Sequence, residues 1–300
     1  MIIMKKMFKI KNLLFLITIL SIVSCSKDDD AGVPPVNQIS VENLAVAVDE
    51  NPTNGDVVGT VQATQTIGGA ILSYSITSQT PSGALEIDAT TGELTVLDNG
   101  LFDFETNPTI TANISVTGVA NSATVSVNLN DLNEVGEYKF GGVIFWVNAA
   151  NNQGLVCDIN NQDVTSWSCS NYVNTSATGT AIGSGSANTL AIISNSCTSS
   201  NGAANVISAL SLNGYDDWFL PSKEELDEMY LNRDVIDATS ALQGGSDIEN
   251  PASPLSLWSS SQSANDFNKA WALQFVNASG NDVTKTVILT SRAVRSWTDF

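Results

Sequence analysis

The sequence predicts a multidomain chain, an all-β sandwich followed by an α+β domain. Three observations carry this. Residues 44 to 130 hold short apolar/polar runs of period two, separated by Gly, Pro and Asn turn signals. Composition changes near residue 135, and all six tryptophans lie beyond that point. After it, helical spacing and strand-like runs occur together, which no single-class fold accommodates.

The elements follow in chain order. Residues 1–24 carry Lys5, Lys6, Lys9 and Lys11, then an apolar run from Leu13 to Val23. That run is shorter than the roughly 20 apolar residues that span a bilayer, so it reads as a secretory signal peptide. Ile22-Val23-Ser24-Cys25 resembles a bacterial lipobox, which implies a lipid on Cys25 and an outer-membrane lipid as partner. Residues 25–36 form an acidic tether. Its Lys27-Asp28-Asp29-Asp30 resembles the tag that sends some lipoproteins to the cell surface.

The chain has 12 basic and 31 acidic residues, a formal net charge of −19. The basic patches that nucleic-acid binding needs are lacking, so no nucleic acid is expected as a partner. There is no histidine, which excludes Ser-His-Asp and Cys-His catalysis and His-ligated zinc. Beyond Cys25 only Cys157, Cys169 and Cys197 remain. An exported compartment permits disulfides, and Cys169–Cys197 would close the Gly/Ser/Thr/Ala-rich stretch between them. Cys157 sits in the strand-like run Gly154-Leu155-Val156-Cys157 and reads as a buried thiol.

Residues 37–134 are the predicted antiparallel sandwich. Leu44, Val46 and Val48 alternate with Asn43, Ala45 and Ala47; the same holds around Leu72, Tyr74 and Ile76, and around Val125, Val127 and Leu129. Asn54-Gly55, Gly68-Gly69, Pro81-Ser82-Gly83 and Thr91-Gly92 supply turns. Four pieces stand in order: Glu50-Asn51, Asp88-x-x-Thr91-Gly92-x-Leu94, Asp103-x-Glu105 and Asp131-Leu132-Asn133-Glu134. Together they resemble a cadherin repeat. That resemblance implies a calcium site built from Glu50, Asp103, Glu105 and Asp131, with Asn133 and Glu134 in the exit linker. Such carboxylates suit a hard cation that takes six to eight oxygens. No second repeat follows, and Val116-Thr117-Gly118 carries no acid, so one ion at a half-site is the expectation.

Residues 136–300 form the α+β domain, in which helices are expected to group before a late antiparallel sheet. "YKFGGVIFWV", "QGLVCDI", "LSLWSSS", "KAWALQFVN", "NDVTKTVILT" and "RAVRSW" read as strands, and "NGAANVISALSL" as a helix. Residues 171 to 200 read as a polar loop. Ser222-Lys223-Glu224-Glu225 is a capping box opening a second helix, which gives both glutamates structural work. Arg292 and Arg295 are expected to pair with Asp216 or Asp217. The six tryptophans read first as core, with sugar stacking as the alternative. The run Trp218-x-Leu220-Pro221-x-x-x-Glu225-Leu226, with "LWSSS" and "RAVRSW", resembles the family named after the C-terminal domain of a Legionella collagen-like protein. That resemblance implies a C-type-lectin-like fold, and surface attachment or glycan binding. The Glu-Pro-Asn and Trp-Asn-Asp triplets of calcium-bridged sugar binding are absent.

The expectation is a lipid-anchored, surface-exposed outer-membrane lipoprotein for adhesion or ligand binding, with a cell-surface or glycan ligand. A glycan-capture protein of a polysaccharide uptake system is the alternative. An enzyme on the lectin-like scaffold is the last reading; the sequence offers no nucleophile–base pair and no phosphate loop, so no catalytic activity is expected.

Overall fold

The computed structural model describes residues 36–167, 173–195, 201–248 and 256–299. Cys25, the acidic tether up to residue 35, Cys169 and Cys197 lie outside the described residues, and so does the expected disulfide.

The first half packs two sheets over one core. β2 (Leu44–Asp49), β9 (Ala123–Asn130), β8 (Thr109–Val116) and β5 (Tyr74–Thr80) form one sheet in that order. β3 (Val57–Thr60), β7 (Glu93–Val96) and β6 (Leu85–Ile87) form the other. β1 (Ile39–Val41) and β4 (Ala63–Gln65) make a separate ribbon. Alternation does the folding. Ile110, Ala112 and Ile114 of β8 and Val125, Val127 and Leu129 of β9 face inward, against Leu94, Val96 and Phe102. Thr91-Gly92 turns as expected. Gly92 has φ +76°, and a Cβ there would stand 2.7 Å from the Val61 carbonyl oxygen. One expectation is corrected: the sandwich is not wholly antiparallel. β2 runs parallel to β9, with Asp49 opposite Asn130. The chain crosses the sandwich between them, and alternation alone does not distinguish the two directions.

The second half is a seven-stranded sheet with helices on both faces. β10 (Tyr138–Lys139), β11 (Gly142–Val147), β12 (Gln153–Thr165), β16 (Leu289–Thr298), β13 (Ser256–Gln262), β14 (Lys269–Gln274) and β15 (Ser279–Thr284) lie in that order. Successive residues feed opposite cores. Ile144, Val156, Trp258 and Ala293 pack with α1 (Gly185–Ser194) and α2 (Ala203–Ser208). Val143, Cys157, Leu257 and Val294 pack with α3 (Lys223–Leu231) and α4 (Arg233–Leu242). This is why several of these strands read as continuous apolar runs.

Three further expectations are corrected. The sheet is mixed, since β13 and β16 are parallel, and its early strands belong to it as much as its late ones. The stretch read as a polar loop contains α1. Its polar Asn188 and Thr189 are buried because they are satisfied: Asn188 Nδ2 donates to the Gly179 carbonyl at 2.7 Å, and Thr189 Oγ1 to that of Gly185 at 2.9 Å. Arg295 does pair with Asp217, at 2.7 and 3.0 Å, but Arg292 does not join it. Arg292 is buried and donates to the carbonyls of Asp158 and Ser246 and to the side chains of Ser240 and Asn161.

Candidate metal site at the exit of the sandwich

Three loops meet where β2 ends, where β8 begins and where β9 exits. Glu50 directly follows β2. Asp103 and Glu105 lie between a 3-10 turn (Asn99–Leu101) and β8. Leu132, Asn133 and Glu134 leave β9. The parallel register of β2 and β9 brings the first and third loops together.

Glu50 is 3% exposed, which an unpaired carboxylate does not tolerate. It is held by backbone donors. Phe104 N–H reaches Oε2 at 2.8 Å and Leu132 N–H reaches Oε1 at 2.7 Å, so this one side chain ties all three loops. One carboxylate oxygen from each of Glu50, Asp103 and Glu105 lies within 4.8 Å of the other two. The Thr106 hydroxyl, 2.9 Å from Asp103 Oδ2, holds the Asp103 carboxyl below its usual range, assisted by the Thr106 N–H at 3.1 Å. Burial, then the Glu50 charge, pushes Glu105 upward. Glu134 is raised by burial and by Glu50, while Asn51 Nδ2 donates to its Oε1.

The sequence-derived set therefore divides. Glu50, Asp103 and Glu105 converge, and Glu134 stands within their field. Asp131 does not join them. Its carboxylate faces the Lys139 ammonium at 3.3 Å, and Lys139 also reaches Glu137 at 3.5 Å. Burial opposes the Lys139 charge, yet Glu137 and Asp131 raise its pKa. Asn133 faces the second half instead. Its N–H donates to Asn151 Oδ1 at 2.7 Å, and Asn151 Nδ2 returns a bond to the Asn133 carbonyl at 2.8 Å. Asn133 Oδ1 is buried with no hydrogen-bond partner. Neither Lys139 nor Asn151 was singled out from sequence. The one available signal was a lysine two residues past Glu137 in a base-poor chain.

Calcium fits this donor set. Every candidate ligand is an oxygen, and oxygens bound about 2.4 Å from one ion lie no more than about 4.8 Å apart. Burial first, and then the Glu50 charge, raises both Glu105 and Glu134, and a bound cation would offset the second of these.

No family model matches the chain, and no curated protein does. Among solved structures, it is similar to the ectodomain of human desmocollin-1, at 26% identity over 33% of this chain and 21% of that one, with a TM-score of 0.30. Repeats 22–24 of mouse cadherin-23 match at 27% identity, over 33% of this chain and 34% of that one, with a TM-score of 0.28. Repeats 1–2 of human protocadherin-24 match at 16%, over 32% and 54%, with a TM-score of 0.28. The chain thus spans between a fifth and about half of these proteins' own lengths.

Proposed function

We propose that this chain is a surface-anchored lipoprotein for adhesion or ligand binding, and that its sandwich is a spacer stiffened by calcium. The convergence of Glu50, Asp103 and Glu105 at the sandwich exit carries the calcium part. Glu50, Asp103 and Glu105 would hold the ion, with Glu134 beside them. When bound, the ion supplies positive charge that offsets the gathered carboxylates. The chain's own residues do the rest: Glu50 joins the three loops, and Thr106 keeps Asp103 ionised. Cys25 carries the lipid in this reading, and the second half is a C-type-lectin-like module that presents the ligand site. The runner-up, glycan capture for an uptake system, shares that site.

Melting of the mature chain tests the calcium reading. The ion should raise the melting temperature progressively through the millimolar range typical of extracellular modules, and magnesium should substitute poorly. At 100 times its Kd it would add roughly 2.7 kcal/mol by mass action. Asp103→Ala should abolish the rise without unfolding the sandwich. A melting curve identical in chelator and in about 10 mM calcium would reduce these acids to solvated loop residues. The address is tested separately: Cys25→Ala should release soluble protein, and replacing Asp28, Asp29 and Asp30 by Ala should hide the chain from external protease. Equal cleavage of that variant and the parent would sink the surface signal.

A further inference from the structure

The six tryptophans differ sharply in their surroundings. Trp167, Trp218, Trp258 and Trp297 are buried core, and of these only Trp297 also touches the groove beside Trp146, with 4% of its surface exposed. Trp271 is half-buried but covered: Lys223 Nζ stands 4.8 Å from its ring centre, and Gly280 lies close against its edge. Trp146, also half-buried, borders an open groove of about 440 Å³.

The groove is built by register. A bulge between Ile144 and Trp146 interrupts the β11–β12 ladder. It moves Trp146 off the Ile144 face and onto that of Leu155. Trp146, Leu155 and Ser296 then form one row across β11, β12 and β16; Gln153 and Thr298 form the next row on the same face. Ile182 and Gly183 make the wall. That wall is fixed from behind by the buried Glu225 carboxylate, which accepts the Gly183 N–H at 2.8 Å, the Gly185 N–H at 3.3 Å and the Ser222 N–H at 2.7 Å. No ionisable side chain lines the groove, in a chain of net charge −19.

We infer that this groove binds a neutral saccharide, with Trp146 as its platform. The inference rests on the ligand-binding reading and gives it a site. A pyranose ring has a face of C–H groups and a rim of hydroxyls. The indole offers a large, flat apolar surface for that face. Gln153 donates and accepts, and the Ser296 and Thr298 hydroxyls do both, as sugar hydroxyls require. The volume falls in the range of small-ligand sites, in which a few placed polar groups fix orientation. An anionic ligand would meet no counter-charge and would approach an acidic protein.

Titration calorimetry on the mature chain tests this, using cellohexaose, laminarihexaose, xylohexaose and mannohexaose, with hexagalacturonate as the anionic comparison. At least one neutral probe should bind, and hexagalacturonate should bind about tenfold more weakly or worse. Trp146→Ala should weaken the neutral probe about tenfold, and Trp271→Ala should leave it unchanged. Since Trp146 also packs against the core, Ser296→Asp is the second variant. It removes no packing, places a charge in the groove, and should cause a similar loss. Absence of heat with every neutral probe, or binding indifferent to both Trp146→Ala and Ser296→Asp, overturns the site. If polysaccharide-coated beads retain the parent chain and the Ser296→Asp variant equally, the groove is wrong and the broader ligand-binding reading stands. If the beads retain neither, both fall.

Discussion

Lys285 and Cys157 are buried titratable groups whose pKa values move so as to oppose each other in alkali. Burial lowers Lys285 to about 8, against a small opposing pull from Asp266. Its ammonium is nevertheless placed: Gln262 Oε1 accepts at 2.7 Å, the Val173 carbonyl at 3.2 Å, and the Trp167 ring centre lies at 4.2 Å. Burial raises Cys157 to about 11, with Arg292 pulling down and Asp158 and Asp237 pushing up. The signs follow from proton counts. Between its folded pKa near 8 and its ordinary 10.5, an unfolded Lys285 holds a proton the folded one lacks, so stability rises with pH. Between 9.0 and about 11, folded Cys157 holds a proton the unfolded thiolate lacks, so stability falls. The two contributions nearly cancel from about pH 9 to 10.5, each reaching at most about 1.4 kcal/mol per pH unit. Urea titrations should therefore show Lys285→Met losing stability across that window and Cys157→Ala gaining it, relative to the parent. Parallel pH profiles for both variants would mean that neither group is buried as described.

At the level of elements, Glu225 joins two helices. It completes the capping box of α3, and its oxygens also hold the loop that leads into α1. Glu225→Ala removes the reciprocal cap, worth about 1 kcal/mol, and leaves buried N–H groups unpaired at about 1–3 kcal/mol each. The expected loss exceeds 2 kcal/mol by denaturant titration, while Glu224→Ala at the exposed neighbouring position should stay within about 0.5 kcal/mol. A Glu225→Ala loss of only about 1 kcal/mol would show that the box caps only α3. The box was legible in sequence because Ser222 and Glu225 are three residues apart and act locally. α1 was not, since its buried Asn188 and Thr189 also depend on the Gly179 carbonyl and the Leu220 backbone, whose positions only the fold supplies. α4 was likewise missed, although Ile236 packs inward from it. The same division runs through the candidate site. Glu50, Asp103 and Glu105 are motif residues and stand together, whereas Asp131 is taken by Lys139, a competitor no motif describes. The groove at Trp146 was illegible because a bulge, which shifts the face by one residue, decides which side the indole takes.

Across the whole molecule, one chain of contacts links the carboxylate cluster to the second half. Glu50 Oε1 accepts the Leu132 N–H; the next residue, Asn133, is clasped by Asn151; and Asn151 sits in the turn that joins β11 to β12, the strands carrying Trp146 and Gln153. Asn151 has φ +53°, a left-handed conformation that Asn and Gly tolerate better than Ala. Asn151→Gly therefore keeps the backbone, whose carbonyl still accepts from Asn133 Nδ2 at 3.2 Å, and removes the side-chain bonds of the clasp, whereas Asn151→Ala adds roughly 1–2 kcal/mol of strain. All six tryptophans belong to the second half, so their fluorescence reports its unfolding alone, while far-ultraviolet circular dichroism sees both halves. In the parent chain, calcium held at the sandwich exit should raise the midpoint seen by tryptophan as well as that seen by circular dichroism, because the clasp makes the second half share the stabilisation. In Asn151→Gly the two midpoints should part, and the tryptophan midpoint should lose most of its response to calcium. With Asp103→Ala neither probe should respond. A tryptophan midpoint indifferent to calcium in the parent, under conditions where circular dichroism shifts, would show that the clasp transmits nothing. A response undiminished in Asn151→Gly would place the coupling elsewhere in the linker, at Lys139 with Asp131 or at the Thr239 hydroxyl on the Gly136 carbonyl.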